Sequence, residues 1–245
     1  MKQYDERSKI RQLENTCQSL QKQMKTMQES HKIAVSQISH ELRNPVTLIN
    51  SSLQIIEKEH PEVLHFSLWR ETMEDMQYLR RLLDELSSYN NGNALNTEKI
   101  ATEEWLRQIA SSFYEMLNAS NEISFSYYIA SPLPVILGDP IKLRQALFNL
   151  LRNAQESLSP GGDICLTAYL KQGDLYIEIQ DTGCGIPREH MATLFEPFVT
   201  HKTGGTGLGL AITKRIIESH HGEISCFSIE GQGTVLTVRL PISAS

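Results

Sequence analysis

The chain has 245 residues, of which 40 % are hydrophobic and 21 % charged, with 14 glycines and 9 prolines. That composition excludes wholesale disorder and collagen-like repeats, and the length is enough to bury about 70 % of the unfolded surface. A formal net charge of −6 argues against nucleic acid as a partner, because non-specific binding to it runs on Lys and Arg neutralising phosphates. No apolar run approaches the roughly 18 residues of a membrane span, and the N-terminus lacks the apolar core of a signal peptide. The four cysteines, Cys17, Cys165, Cys184 and Cys226, form no CxxC pair or other metal spacing. They read as reduced thiols packed like small hydrophobes, and the expected compartment is the cytoplasm.

Residues 1–95 hold a single glycine, Gly92, and two prolines, Pro45 and Pro61. The other turn-formers follow, so a helical part precedes a mixed α/β part. In the first part Ile10, Leu13, Cys17, Leu20, Met24, Met27, His31, Val35 and Ile38 recur at steps of three and four, the pattern of a coiled-coil seam. The stripe continues through Leu42, Val46, Ile49, Leu53 and Ile56, and two successive steps of four (38 to 42 to 46) form a stutter. Pro61 predicts the end of this helix near residue 59, since the residue before a proline is driven out of helical geometry. A second amphipathic helix carries Phe66, Trp69, Met73, Met76, Leu79, Leu83 and Leu86 on one face and frays at 89–93. Two antiparallel helices bury one face each, so completion as a four-helix bundle with a second copy, a homodimer, is expected. Segment 1–32, with seven basic and four acidic side chains, reads as a solvated coiled-coil face. Membrane contact is expected only through a tether, supplied by a sensor segment outside this sequence or by a partner.

Beyond residue 98 the pattern predicts a helix over 102–120, a strand over 123–129 and a helix over 140–158, the last capped by Asp139 with Pro140 in its first turn. Strands over 163–170 and 174–180 are joined by a turn at Gln172-Gly173-Asp174. A glycine-rich loop, a helix over 207–220 and strands over 223–229 and 233–240 complete the chain. Strands grouped antiparallel with helices on one face make an α/β sandwich of the α+β kind. The expected organisation is therefore a coiled coil (1–32), a helical-hairpin dimerisation domain (33–95) and an α/β-sandwich domain (96–245).

Four clusters carry chemistry. His40, in Ser-His-Glu-Leu-Arg-Asn-Pro at 39–45, lies two residues from both Ile38 and Leu42, so the helical period points it away from the seam. Glu41 is adjacent and Asn44 is one turn on, while Pro45 cannot donate to the carbonyl of Glu41. An exposed histidine beside a carboxylate and a loosened helix can serve as a nucleophile, with Glu41 orienting it and accepting its proton. Asn149 and Asn153 share one helix face at i, i+4, and their stacked carboxamide oxygens suit Mg²⁺, a hard ion. On its own this pair also reads as a plain surface pair. Asp181-Thr-Gly183-Cys-Gly185 follows an apolar strand: the glycines let a planar ring approach the backbone, and Asp181 can accept from an exocyclic amine. Lys202-Thr-Gly-Gly205-Thr206-Gly207-Leu208-Gly209 opens a helix whose free N–H groups and dipole favour phosphates, and Lys202 adds a cation. The spacing fits neither a dinucleotide-binding βαβ fingerprint nor a Walker A loop.

Together these clusters resemble sensor histidine kinases. Ser39–Pro45 looks like their phospho-acceptor box, and Asn149–Asn153, Asp181–Gly185, Phe195-Glu-Pro-Phe198 and Gly205–Gly209 look like their N, first glycine, F and second glycine boxes. The short segment between Phe198 and Gly204 is similar to the compact lids of the sporulation and nitrogen-regulation type. The resemblance implies ATP-dependent phosphorylation of His40 with Glu41 assisting, then transfer to an aspartate of a response-regulator receiver domain. It also implies a regulator-phosphatase activity with Asn44 positioning water. It assigns Mg²⁺ to Asn149 and Asn153, the adenine amine to Asp181, and the ATP phosphates to Lys202, Gly205, Gly207 and Gly209. Thr206 and Leu208 complete that loop. Glu156 stands where many relatives carry a basic residue that reaches phosphate, which would leave more of that charge to Lys202. Two other readings stay open on the sequence: an ATPase of the same fold without phosphotransfer, and a non-catalytic dimeric scaffold that docks a regulator.

Overall fold

The computed structural model describes residues 2–91, 95–117, 122–158, 161–202 and 205–242. For most of residues 2–34, and for 40, 90 and 91, it describes the backbone alone. The chain divides into two units, Met1–Asn90 and Asn91–Ser245.

The first unit is a helical hairpin. Helix α1 (Lys2–Glu59) runs through Pro45 and stops at the expected place. His60, held before Pro61, leaves helical geometry at φ −129° and ψ 70°, and a 3₁₀ turn over Pro61–His65 reverses the chain into α2 (Ser67–Asn91). Val46 of α1 is buried with Met76 and Leu83 of α2, and Leu53 packs against them. Arg43 adds a polar tie across the hairpin, its Nη2 donating to Asp84 Oδ1 and Ser87 Oγ, each at 3.0 Å. Phe66 departs from its expected face: it sits in extended backbone where the 3₁₀ turn ends, 59 % exposed. Ile38, Leu42, Ile49 and Ile56 of the stripe also stay exposed, because α2 covers only the line through Val46 and Leu53. The side chains of Ile10, Leu13, Cys17, Leu20 and His31 lie outside the described residues. Among those described, no helix is long and apolar enough to cross a membrane.

The second unit stacks helices on a five-stranded sheet. Its elements are β1 (Glu98–Ala101), α3 (Thr102–Leu117), β2 (Ile123–Ile129), β3 (Val135–Gly138), α4 (Pro140–Ser157), β4 (Gly162–Lys171) and β5 (Asp174–Asp181). They continue with α5 (Arg188–Met191), α6 (Gly209–Ser219), β6 (Glu223–Ile229) and β7 (Gly233–Pro241). The strand order is β2-β4-β5-β7-β6, and β1 pairs with β3 as a separate two-stranded ribbon. Strand alternation sorts the faces. Leu166, Ile179 and Leu236 are in register and buried, as are Ala168, Ile177 and Val238 in the next rank. Against that face lie Leu106, Ile109 and Phe113 of α3, Leu143, Leu147, Leu150 and Leu151 of α4, and Ile212, Ile216 and Ile217 of α6, all fully buried. The β4–β5 connection is the expected hairpin turn, its loop only two residues long, with Gln172 and Gly173 at φ 55° and 88° between the paired Lys171 and Asp174.

Several expectations need correction. The sheet is mixed, not antiparallel throughout, because β2 pairs with β4 in parallel. Such a pairing needs a crossover, and α4 lies in it. Strands β1 and β3 were not foreseen; each spans four residues, too short for alternation to stand out. Helix α3 ends at Leu117, and residues 118–120 lie outside the described ones. Helix α6 begins at Gly209 rather than 207, because Gly207 takes a left-handed φ of 70° that a helix cannot continue.

The start of α4 is doubly secured. Asp139 caps it as expected, accepting from the N–H groups of Ile141 and Lys142 at 3.1 Å. Burial raises its carboxyl pKa, but the N–H groups of Asn96, Lys142 and Ile141 outweigh that and hold it below the ordinary value. Its own N–H donates to Nε2 of the buried His220 at 2.9 Å, while His220 Nδ1 donates to the Ile216 carbonyl at 2.7 Å. The imidazole is thus fixed as one neutral tautomer joining the end of α6 to the start of α4. Burial holds its pKa below the ordinary value. The unfolded chain therefore binds this proton more readily, so the stability from His220 is complete above the unfolded pKa of about 6.5 and declines as pH falls below it. His220→Ala is expected to cost about 1–3 kcal/mol, leaving the Asp139 N–H without its acceptor. It should also flatten the dependence of melting temperature on pH between about 7 and 5, which thermal denaturation of both proteins would read.

Candidate functional site

Helix α4 organises the site. Its apolar stripe of Leu143, Leu147, Leu150 and Leu151 enters the core, which turns Asn149, Asn153 and Glu156 onto a partly exposed flank at i, i+4 and i+7. Three polar ties run from this helix to neighbouring elements. Asn149 Nδ2 donates to the Gly209 carbonyl at the start of α6, 3.2 Å away. Glu156 Oε2 meets Lys202 Nζ of the following loop at 3.0 Å, and Oε1 takes Arg152 Nε at 3.0 Å. At the helix end, Ser157 Oγ lies 2.9 Å from Asp181 Oδ1.

Asp181 ends β5 on the buried side, since 175, 177, 179 and 181 alternate onto the core face and Asp181 is in register with Ile164 and Thr234. It is only 5 % exposed. Its Oδ1 accepts from the Gly183 N–H and from Ser157 Oγ, both at 2.9 Å, whereas Oδ2 has no hydrogen-bond partner among the described residues. A buried carboxylate oxygen in that condition is an acceptor held ready for a donor. Burial, reinforced by the Asp181 charge, pushes the nearby Cys226 thiol up to about 11, so that cysteine is inert packing. Cys165, Cys184 and Cys226 are free thiols, and Cys17 lies outside the described residues.

The loop after Asp181 is pinned on both sides. Cys184 N–H donates to the Ser157 carbonyl at 3.1 Å, Gly231 N–H to the Cys184 carbonyl at 2.8 Å, and Ile186 N–H to Ser228 Oγ at 2.8 Å. Gly185 must be glycine: its φ is 67°, and a Cβ there would strike the backbone of Ile229. The second loop has a similar demand at Gly207, where φ is 70° and a Cβ would reach Val199 N at 2.7 Å. Phe198 N–H closes that loop on the Gly207 carbonyl at 3.0 Å. Gly205 N–H donates to the Lys202 carbonyl at 3.1 Å and Lys202 N–H to Thr200 Oγ1 at 3.2 Å, which fixes Lys202 on a turn. Leu208, fully buried with its N–H on Thr206 Oγ1, anchors the start of α6. The free N–H groups of that helix start favour an anion there.

The structure thus gathers Asn149, Asp181, Gly183, Lys202 and Gly209 around α4. Its placement of Lys202 on Glu156 was not anticipated. Ser157 and Ser228, which hold Asp181 and the first glycine loop, escaped the sequence reading; nothing local marks them, because their partners are 24 and 42 residues away. The Asn149 carboxamide, with its nitrogen committed to Gly209, leaves its oxygen for a cation, and an all-oxygen donor set suits Mg²⁺. No group of three or more His, Cys, Asp or Glu able to hold a metal occurs among the described residues. Glu41 and Asn44 lie exposed on α1 in the other unit, and the His40 side chain lies outside the described residues.

This arrangement has known counterparts. Residues 138–244 match the family described as "Histidine kinase-, DNA gyrase B-, and HSP90-like ATPase", which defines the class of the second unit. Sporulation kinase E of Bacillus subtilis is 32 % identical over 211 residues, covering 84 % of this chain and 28 % of that protein. Full-length ShkA, solved in complex with AMPPNP, superposes with a TM-score of 0.72 at 28 % identity, over 86 % of this chain and 46 % of that one. The catalytic domain of the histidine kinase ThkA is 30 % identical with a TM-score of 0.55, over 60 % of this chain and 96 % of that one. ThkA in complex with the response regulator protein TrrA gives a TM-score of 0.63 at 25 % identity, over 84 % of this chain and 60 % of that one. The chain belongs to the sensor histidine kinase family. It spans less than a third of Sporulation kinase E.

Proposed function

We propose that this chain is an ATP-dependent protein-histidine kinase that phosphorylates its own His40 and passes the phosphoryl group to an aspartate on a response-regulator receiver domain. The observation that carries the reading is Asp181: a buried carboxylate with one oxygen fixed by Gly183 and Ser157 and the other left for a donor. An adenine exocyclic amine is such a donor, and Gly183 and Gly185 let the loop that follows close against Ser157 and Ile229, where a Cβ would not fit. Asn149 and Asn153 would hold Mg²⁺, whose charge offsets that of the phosphates when it is bound. Lys202 and the loop Gly205-Thr206-Gly207-Leu208-Gly209 receive the phosphates at the start of α6. The chain's own contribution is chiefly positioning and electrostatics, as in other phosphoryl transfers. The γ-phosphoryl passes to a ring nitrogen of His40, while Glu41 orients the imidazole and takes its proton. Asn44 positions water when the regulator is dephosphorylated.

The ThkA–TrrA complex supports a receiver domain as partner. Gln37, Glu41 and Asn44 offer it exposed polar contacts, whereas Arg43 is engaged by Asp84 and Ser87 within the hairpin. The exposed Ile38, Leu42, Ile49 and Ile56 support a homodimer through a four-helix bundle. The proposed organisation is a coiled coil over 1–32, a dimerisation and phosphoacceptor domain over 33–95 and a catalytic domain over 96–245, working in the cytoplasm.

The test is incubation with γ-labelled ATP and Mg²⁺. The expected product is labelled protein whose label is lost in acid, kept in base, and transferred to a receiver domain added afterwards. Steady release of phosphate with no labelled protein would replace this reading by an ATPase. Failure to bind nucleotide would replace it by a docking scaffold.

A further inference from the structure

Glu156 has no part in the mechanism above, yet it sits on the same flank of α4 as Asn149 and Asn153, seven residues beyond the first. A carboxylate there should repel a polyphosphate. Instead it is matched by two cations, one on each oxygen: Arg152 from the preceding turn and Lys202 from the loop, both at 3.0 Å. The two contacts differ in kind. Arg152 is bound to Glu156 along one helix and stays with it whatever the loop does. Lys202 comes from a separate loop, its backbone held in a turn by Thr200 and Gly205.

We propose that Glu156 is a latch: it holds Lys202 against α4, and the outer phosphates of an incoming nucleotide must win Lys202 from it. Glu156 is therefore a positioning residue that acts through Lys202. This rests on the reading of the site as a nucleotide site. Two consequences follow from the chemistry. Release is inexpensive, because the pair is partly exposed and Arg152 remains on the carboxylate when Lys202 leaves. It is also selective, since only a ligand bearing outer phosphates offers Lys202 a stronger anion than a lone carboxylate. Glu156 thus weakens the binding of nucleoside di- and triphosphates and leaves that of the bare nucleoside unchanged.

The experiment is a set of binding titrations of the whole chain with a non-hydrolysable ATP analogue plus Mg²⁺, and with adenosine. Wild type, Glu156→Gln, Lys202→Met and the double variant are compared. Glu156→Gln is expected to bind the analogue about fivefold tighter, the scale of one exposed ion pair released, and adenosine unchanged. In the Lys202→Met background the same substitution should gain less than about twofold, because only the direct repulsion is left to remove. A merely structural role for Glu156 would weaken both ligands together. The latch is overturned if Glu156→Gln leaves analogue binding unchanged or weaker, or if the gain is as large without Lys202. A wild-type protein that binds adenosine but shows these failures sinks the latch alone. One that binds neither ligand sinks the nucleotide reading with it.

Discussion

Asp181→Asn is expected to weaken nucleotide binding by a hundredfold or more while leaving the fold intact. The substitution keeps shape and volume, and the orientation of the new side chain is dictated by its surroundings. The Gly183 N–H donates to the Oδ1 position, so the carboxamide oxygen is expected to occupy it, while Ser157 Oγ, whose single hydrogen also reaches the Ala154 carbonyl at 2.7 Å, can adapt. The NH₂ group then takes the Oδ2 position and presents hydrogens to the donor that Asp181 would receive. A charge-assisted hydrogen bond, about 1.5–3 kcal/mol, is replaced by two donors facing each other. At 1.4 kcal/mol per tenfold, the loss of that bond and the added conflict reach about a hundredfold. Calorimetric titration with ADP and Mg²⁺ measures it, and the melting temperature without nucleotide should scarcely move. An affinity within about threefold of wild type would remove Asp181 from adenine recognition.

His40→Ala should abolish phosphorylation altogether, to less than about a thousandth of wild type, with nucleotide affinity unchanged. The contrast follows from the organisation of the chain: the proposed nucleophile belongs to the helical unit, and every residue proposed to hold ATP belongs to the other. Without the imidazole no nitrogen is available at that turn, and water attack would yield free phosphate instead of labelled protein. Label on the variant would place the acceptor elsewhere among the eight histidines. Unimpaired ADP binding by the same preparation separates loss of the acceptor from loss of fold.

Much of this was legible in the sequence, for reasons that differ from element to element. Pro61 ended α1 and Asp139 began α4 because proline geometry and capping act within a few residues. Gly173 announced the β4–β5 hairpin on the same local grounds. Asp181 could be singled out because two glycines after an apolar strand free the backbone, and strand alternation then set which way it faced. Register across distance was not legible. Nothing in Ile123–Ile129 says that it will lie parallel to β4 rather than antiparallel, since that depends on the route of the intervening chain. The partners of charged groups escaped for a similar reason: Lys202 read as a cation for phosphate, and the carboxylate that holds it is 46 residues earlier.

The position of β7 bears on how the protein is made. Gly233–Pro241 is the last strand in chain order, yet it lies inside the sheet, between β5 and β6. During synthesis the strand that bears Asp181 therefore waits with one edge bare until some sixty further residues have emerged, and β6 meanwhile has no neighbour at all. A chain released before Gly233 lacks the strand that pairs with both β5 and β6, so it has no finished sheet to hold Asp181 in place.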